Sequence, residues 1–348
     1  MTSGATLREL IVGVDIGGTK TAILVTEPDG GVRVRQVAPT AVGAPNRAAD
    51  SIASLVQAAL DAAGATPDDV AALGVGVPGR VERQTGQVTL AVNLDWHDLP
   101  LGPRLEARLG IPTFVENDVR AAALGLHRRR LFGTVESLAL LAIGTGISAG
   151  VVLDGRLHRG SLGLAGEIGH VVIDPDGPRC ACGNSGCFEA VAAGPAIVAR
   201  TRAGWAARRN GHADTTAGLH GDRAVDAEGV FAAAAAGDEV ARDILESTGK
   251  AVAWGIHLLA LAYDVERIVL GGGVSHAGEP FIAPIRRELD RYRAVSPLAA
   301  EVLRPDLLEL LPPGSDAGAW GAVTIARDAL SRDRNPASPG QERVVGHA

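Results

Sequence analysis

Asp15-Ile16-Gly17-Gly18-Thr19-Lys20 stands at the joint of two apolar runs that fill most of Glu9 to Val25, and Asp29-Gly30-Gly31 begins a further reversal beyond them. Apolar runs of strand length punctuated by glycine read as strand, turn, strand, turn. Adjacent glycines let the backbone approach an anion and present its N–H groups, Thr19 adds a hydroxyl, and Asp15 can hold magnesium through water. The turn is a candidate phosphate cradle, though a plain hairpin would read the same way. It is no Walker loop, because the Gly-x4-Gly-Lys-[Ser/Thr] spacing is missing from it.

Outward from this segment, Ile52, Leu55, Val56, Ala59 and Leu60 repeat at helical spacing over Ala48 to Ala63, and Gly64 stops the helix. Val70 to Val77 returns to a buried strand, Pro103 to Leu109 reads as a short helix, Thr113 to Val115 as a strand, and Val119 onward as an alanine-rich helix. The order is β, β, β, α, β, α, β, α. The pattern then restarts roughly 130 residues on: Leu138 to Ile143 is apolar, Gly144-Thr145-Gly146 turns, Ile147 to Leu153 is apolar, and Asp154-Gly155 turns again. Two strand-glycine-strand units suggest an internal duplication, although no strict sequence repeat accompanies them. Further on come a long helix over Val240 to Ala262, a strand over Arg267 to Leu270 that runs into Gly271-Gly272-Gly273, and a helix over Pro280 to Tyr292. Pro312, Pro313 and Gly314 break the chain before a last helix, Ala317 to Leu330. From Ser331 the sequence is polar and aperiodic, so a disordered tail is expected over 331–348.

A chain of 348 residues suggests about two domains, since single cores stop growing near 250 to 300 residues. Aromatics are only 3% of the residues, which leaves the core to Ala, Val, Leu and Ile, an ordinary α/β composition. The formal net charge is −7 with no long basic block, which argues against nucleic acid and anionic membranes as partners and for small molecules. No apolar stretch reaches the length of a membrane span and Met1 to Leu10 lacks the layout of a secretory signal, so a cytoplasmic protein is expected. Cys180, Cys182 and Cys187 are the only cysteines. An odd number packed so closely suits metal ligation better than a disulfide framework.

Three further segments carry chemistry. Gly144-Thr145-Gly146 occupies the turn of the second unit that matches the first cradle. Gly271-Gly272-Gly273-Val274 follows a strand and precedes a helix, where glycines let an adenosine lie against the backbone. None of the turns has the Gly-x-Gly-x-x-Gly spacing of a dinucleotide site. Glu116-Asn117-Asp118 follows a strand and opens a helix, where Asn or Asp is the ordinary helix cap.

Taken together, Asp15 to Lys20, Val115 to Asp118, Gly144 to Gly146, Gly166-Glu167-Ile168-Gly169-His170, the run from Cys180 to Glu189, and Gly271 to Val274 resemble the ROK family of sugar kinases and repressors, in particular its bacterial ATP-dependent glucokinases. The likeness spans about Ile11 to Arg327 in the family's order. The cysteine run with its upstream histidine and trailing glutamate is the most specific part, whereas glycine turns are shared by actin-like ATPases in general. The resemblance implies two actin-like α/β domains of the ribonuclease H-like, hexokinase type with a cleft between them. The smaller would be residues 1–117 plus a helix near 316–330, and the larger residues 118–315.

It further implies phosphorylation of D-glucose at the 6-hydroxyl, with Asp118 as the base that accepts the proton of the attacking hydroxyl. Gly79, Asn117, Asp118, Glu167, His170 and Glu189 would contact the sugar. Asp15, Gly17, Gly18, Thr19, Lys20, Gly144, Thr145, Gly146, Gly271, Gly272 and Gly273 would hold ATP with Mg2+. His170, Cys180, Cys182 and Cys187 would close a structural Zn2+ site with no open position, shaping the sugar loop. One ring nitrogen of His170 would ligate the metal while the other faces the sugar. Asn93-Leu94-Asp95-Trp96 resembles the family's Asn-Leu-x-Trp segment near the sugar, though a lone tryptophan is usually packing. A homodimer or homotetramer is expected. Two departures stand out: Val119-Arg120 where small residues are common, and a polar, glycine-rich insert over Arg202 to Asp226, which bears on regulation or oligomer contacts more than on chemistry.

Other functions on the same scaffold leave different traces. A repressor of the family carries a winged-helix domain of about 80 residues ahead of the first glycine turn, and only 14 residues precede Asp15, so a DNA reader is not expected. A sugar sensor without kinase activity would lose Asp118 or the first cradle, and both are intact. Mannose, fructose, allose and N-acetylmannosamine remain alternative acceptors, and polyphosphate an alternative donor.

Overall fold

A computed structural model of the chain describes residues 9–40, 45–211 and 225–334. The chain divides into unit 1, Met1–Arg129 with Asp316–Ala348, and unit 2, Arg130–Ser315. In unit 1 the first glycine segment folds as an antiparallel meander of β1 (Leu10–Ile16), β2 (Lys20–Thr26) and β3 (Val32–Pro39). After α1 (Pro45–Ala62) comes β4 (Val70–Val77), parallel to β1. A small antiparallel sheet of β5 (Arg80–Glu82), β6 (Gln87–Ala91) and β7 (Trp96–Leu99) intervenes before α2 (Leu101–Leu109), β8 (Thr113–Asn117) and α3 (Asp118–Arg128). β8 pairs parallel to β4, which gives the order β3-β2-β1-β4-β8.

Unit 2 begins with β9 (Leu138–Ile143), β10 (Ile147–Leu153) and β11 (Arg156–His158). It continues through α4 (Phe188–Ala192), α5 (Gly194–Gly211), α6 (Ala227–Ala235) and α7 (Glu239–Tyr263). The last strands and helices are β12 (Arg267–Gly271), α8 (Glu279–Val295), α9 (Pro297–Val302) and β13 (Leu308–Leu310). Its sheet order is β11-β10-β9-β12-β13. β9 is antiparallel to β10 and parallel to β12, as β1 is to β2 and β4. The duplication suggested by the two glycine turns is thus a repeated sheet topology, and each unit has the actin-like α/β arrangement.

α10 (Ala317–Arg334) returns the chain to unit 1. Strand alternation explains its seat. Val12, Val14 and Ile16 point into a core shared with Val56 and Leu60 of α1 and Leu105 of α2. Ile11 points the other way, against Ala319 and Val323 of α10. Glycines admit α10 at close range: a Cβ on Gly74 of β4 would come 1.9 Å from the Ala322 carbonyl oxygen, and one on Gly125 of α3 would come 2.7 Å from the Gly321 nitrogen. Because α3 packs on α10, it falls with unit 1, and the chain divides after Arg129 where the sequence reading divides it at Asn117. α10 also runs past Leu330, so Ser331 to Arg334, expected in the disordered tail, are helical, while 335–348 lie outside the described residues. Among the described residues no helix is long and apolar enough to cross a membrane.

Candidate active site

In unit 1 the chemistry gathers at one end of the sheet. Asp15 is the next-to-last residue of β1 and lies on the α10 face, where its carboxylate fills the space a Cβ on Gly318 would take. A Cβ on Gly76 would come 3.5 Å from both Asp15 Oδ1 and the Asp118 Cα, so the two acids flank that glycine. Burial above all, then the charge of Asp118, raises the Asp15 carboxyl to about 7, with Lys20 opposing and Asp316 adding to the rise. Asp316 caps α10 at positive φ and accepts a 2.7 Å hydrogen bond from Arg35. A carboxylate crowded by two others suits a dication held through water, so Asp15 fits the expected magnesium role.

The Gly17-Gly18 turn is a closed loop with an open top. Gly17 N–H donates to the Lys20 carbonyl at 2.9 Å, and the Thr40 hydroxyl donates to the Gly17 carbonyl at 2.8 Å. Around Gly18 a Cβ would meet nothing within 4 Å, and Thr19 and Lys20 are exposed. That face is free for an anion.

Asn117 does what a helix cap does: its Oδ1 accepts from the Arg120 N–H at 3.1 Å, and its Nδ2 donates to the Gly79 carbonyl at 3.1 Å. One amide hydrogen is left by these two bonds. Gly79 has φ of 97°, and a Cβ there would strike the Leu90 carbonyl at 2.1 Å, so its glycine is required by close packing on β6. Asp118, at the first position of α3, accepts from the Val119 N–H at 2.9 Å and is half-buried. Beneath it Glu116 and Arg120 form a buried pair at 3.0 Å, and Glu116 Oε1 also accepts from the Asn117 N–H. Sequence reasoning treats Arg120 only as a departure from pattern. Its buried partner four residues back is what accommodates it. Trp96 is 1% exposed, so it is a core residue, and its Nε1 has no partner among the described residues.

In unit 2 the ligand atoms of His170, Cys180, Cys182 and Cys187 all lie within 4.8 Å of one another. Cys180 Sγ is 3.7 Å from His170 Nδ1, and Cys182 Sγ is 3.6 Å from Cys187 Sγ. A tetrahedron with Zn–S bonds near 2.3 Å has edges of about 3.8 Å, so the set fits zinc, with Nδ1 as the histidine ligand and Nε2 turned elsewhere. Burial first, then the Cys182 thiol beside it, pushes Cys187 up to about 12, while a backbone hydrogen bond at Asn184 lowers Cys182. Thiols this crowded need a cation to be held as thiolates together.

Glu167 precedes the single turn Ile168–His170 and is half-buried. This turn presses on β10: a Cβ on Gly169 would come 2.2 Å from the Ile147 carbonyl oxygen. Glu189 enters from the other side, its Oε2 accepting from the Ile147 N–H at 2.9 Å. Gly144 and Thr145 share a cavity of about 610 Å3 with Gly273 and Val274, so the second and third glycine turns face one space, whereas Gly271 is the buried end of β12. Pro195, Val198 and Ala199 of α5 supply an apolar wall that sequence reasoning missed. Arg202 and Asp226 also line it, so the ends of the Arg202 to Asp226 segment belong to the cavity rather than only to regulation, while 212–224 lie outside the described residues.

The model of the ROK family matches residues 11–329. The chain is 35% identical to a glucokinase of Streptomyces coelicolor over 331 residues, covering 92% of this chain and 98% of that one. It is 34% identical to a glucokinase of Thermotoga maritima over 330 residues, with the same coverage. A ROK family glucokinase from Streptomyces griseus, solved in complex with glucose and AMPPNP, superposes with a TM-score of 0.73 at 33% identity, covering 92% of this chain and 99% of that one.

Proposed function

Since the chain belongs to the ROK family, we propose that it is an ATP-dependent glucokinase, converting D-glucose and ATP to glucose 6-phosphate and ADP. The observation that carries the reading is Asp118, held at the N-terminus of α3 beside Asp15 at the end of β1. The Asp118 carboxylate takes the proton of the glucose 6-hydroxyl as that oxygen attacks the γ-phosphorus in line, and the bond to the bridging oxygen of ADP breaks. Magnesium bound with ATP supplies charge neutralisation on the phosphates, with Asp15 as its contact through water. The open face of Gly17 to Lys20 and the turn Gly144 to Gly146 present N–H groups to the phosphates, and the cavity beside Gly273 takes the adenosine. Gly79, Asn117, Glu167, His170 and Glu189 fix the sugar hydroxyls, and zinc on the Cys3His set would order the turn that carries Glu167 and His170. The same reading has the enzyme act in the cytoplasm as a homodimer or homotetramer.

Asp118→Asn keeps the size of the side chain and removes the proton acceptor. Its kcat should fall by at least ~100-fold with little change in glucose affinity. Near-normal turnover in steady-state assays of this variant would place the base elsewhere.

A further inference from the structure

Glu189 is assigned to the sugar by resemblance, yet in the structure its carboxylate is spent on the nucleotide turn. Oε2 accepts from the Ile147 N–H at 2.9 Å, and a Cβ built on Gly146 would come only 2.5 Å from the same oxygen. The opposite end of the turn is tied to the same stretch of chain, for the Gly194 N–H donates to the Gly144 carbonyl at 2.8 Å. Glu189 is the second residue of α4, whose first residue is fixed. Phe188 is fully buried, stands edge-on to Trp254 with ring centroids 6.1 Å apart, and donates its N–H to the Val171 carbonyl at 2.9 Å. Cys187, one of the four residues grouped as candidate metal ligands, immediately precedes it.

From this geometry we propose that Glu189 is a positioning residue for the nucleotide turn: it sets the backbone at Gly146 and Ile147, and so couples sugar recognition to nucleotide binding within unit 2. The proposal rests on the reading of Gly144 to Gly146 as an ATP contact and of Glu189 as a sugar contact. A carboxylate held in place by the Ile147 N–H needs no reordering when a sugar hydroxyl reaches it, and a turn held by that carboxylate needs none when a phosphate arrives. Each site is organised by the other's residue. A side chain on Gly146 would meet the end of that carboxylate. Its φ lies outside the left-handed region, so the restriction comes from the neighbour and not from the backbone.

The test is to measure binding of each ligand alone by calorimetry. ADP is titrated without sugar into wild type, Glu189→Ala and Glu189→Gln, and glucose is titrated without nucleotide into wild type and Gly146→Ala. Loss of a hydrogen bond to a charged group corresponds to about tenfold in affinity. Glu189→Ala should therefore bind ADP about tenfold more weakly. Glu189→Gln, whose amide oxygen can still accept from Ile147, should recover most of that loss. Gly146→Ala should weaken glucose, because the new methyl displaces the flexible end of Glu189. Wild-type ADP affinity in Glu189→Ala overturns the proposal, and so does equal loss in the Ala and Gln variants, which would trace the effect to charge or to the fold. The ADP arm decides the matter whatever sugar the enzyme uses. Failure of wild type to bind glucose would overturn the glucokinase reading and leave that arm standing.

Discussion

At the scale of single residues, the carboxyl of Asp15 has a cost that can be measured. It is raised to about 7 by burial and by Asp118, so between about pH 4 and pH 7 the folded state binds a proton that the unfolded state has released. Stability then falls as pH rises through that window and stays lowered above it. Allowing for partial exposure, the penalty is on the order of 2 kcal/mol at pH 8. In thermal melts without magnesium, Asp15→Asn should raise Tm at pH 8, and the gain should vanish near pH 4, while kinase activity is lost. A variant that melts below wild type at pH 8 would mean that Asp15 is stabilised by its surroundings instead. Asp118, Glu167 and Glu189 could each be named as candidates from the sequence because their motifs are local. The bond from Ile147 to Glu189 could not, since it joins positions far apart in the chain. The Glu116 to Arg120 pair is local, four residues apart, but its burial follows from the packing around α3 and not from the spacing.

At the scale of elements, the metal knuckle is the most testable part. Protein purified without added metal should contain one zinc per chain, because four residues of the right type already hold their ligand atoms within 4.8 Å of one another. Cys182→Ser should lose that zinc and weaken glucose binding by loosening the turn from Glu167 to His170, and metal analysis paired with glucose titration checks both. Full zinc with normal sugar affinity in this variant would remove the knuckle from the sugar site. The long apolar elements were legible in advance: β4, β9 and β10 have the limits their apolar runs suggest. The sheet of β5, β6 and β7 was not, because its strands are three to five residues long, too short to show a sustained period, and mix Arg80, Glu82, Gln87 and His97 with their apolar positions. α5 was missed for a related reason, as its arginines and small residues give little apolar periodicity.

At the scale of the whole molecule, the proposed reaction has glucose as acceptor. A site built from donors and acceptors rejects a sugar that lacks the matching hydroxyl, because each buried neutral group left unpaired costs about 1 to 3 kcal/mol. The direct measurement is kcat/KM with ATP for glucose, 2-deoxyglucose, mannose, fructose, allose and N-acetylmannosamine, with polyphosphate tried as donor and the product identified. The account predicts glucose as the best acceptor, glucose 6-phosphate and ADP as products, and 2-deoxyglucose at least about fivefold poorer. Fructose or N-acetylmannosamine turned over much faster than glucose would contradict it.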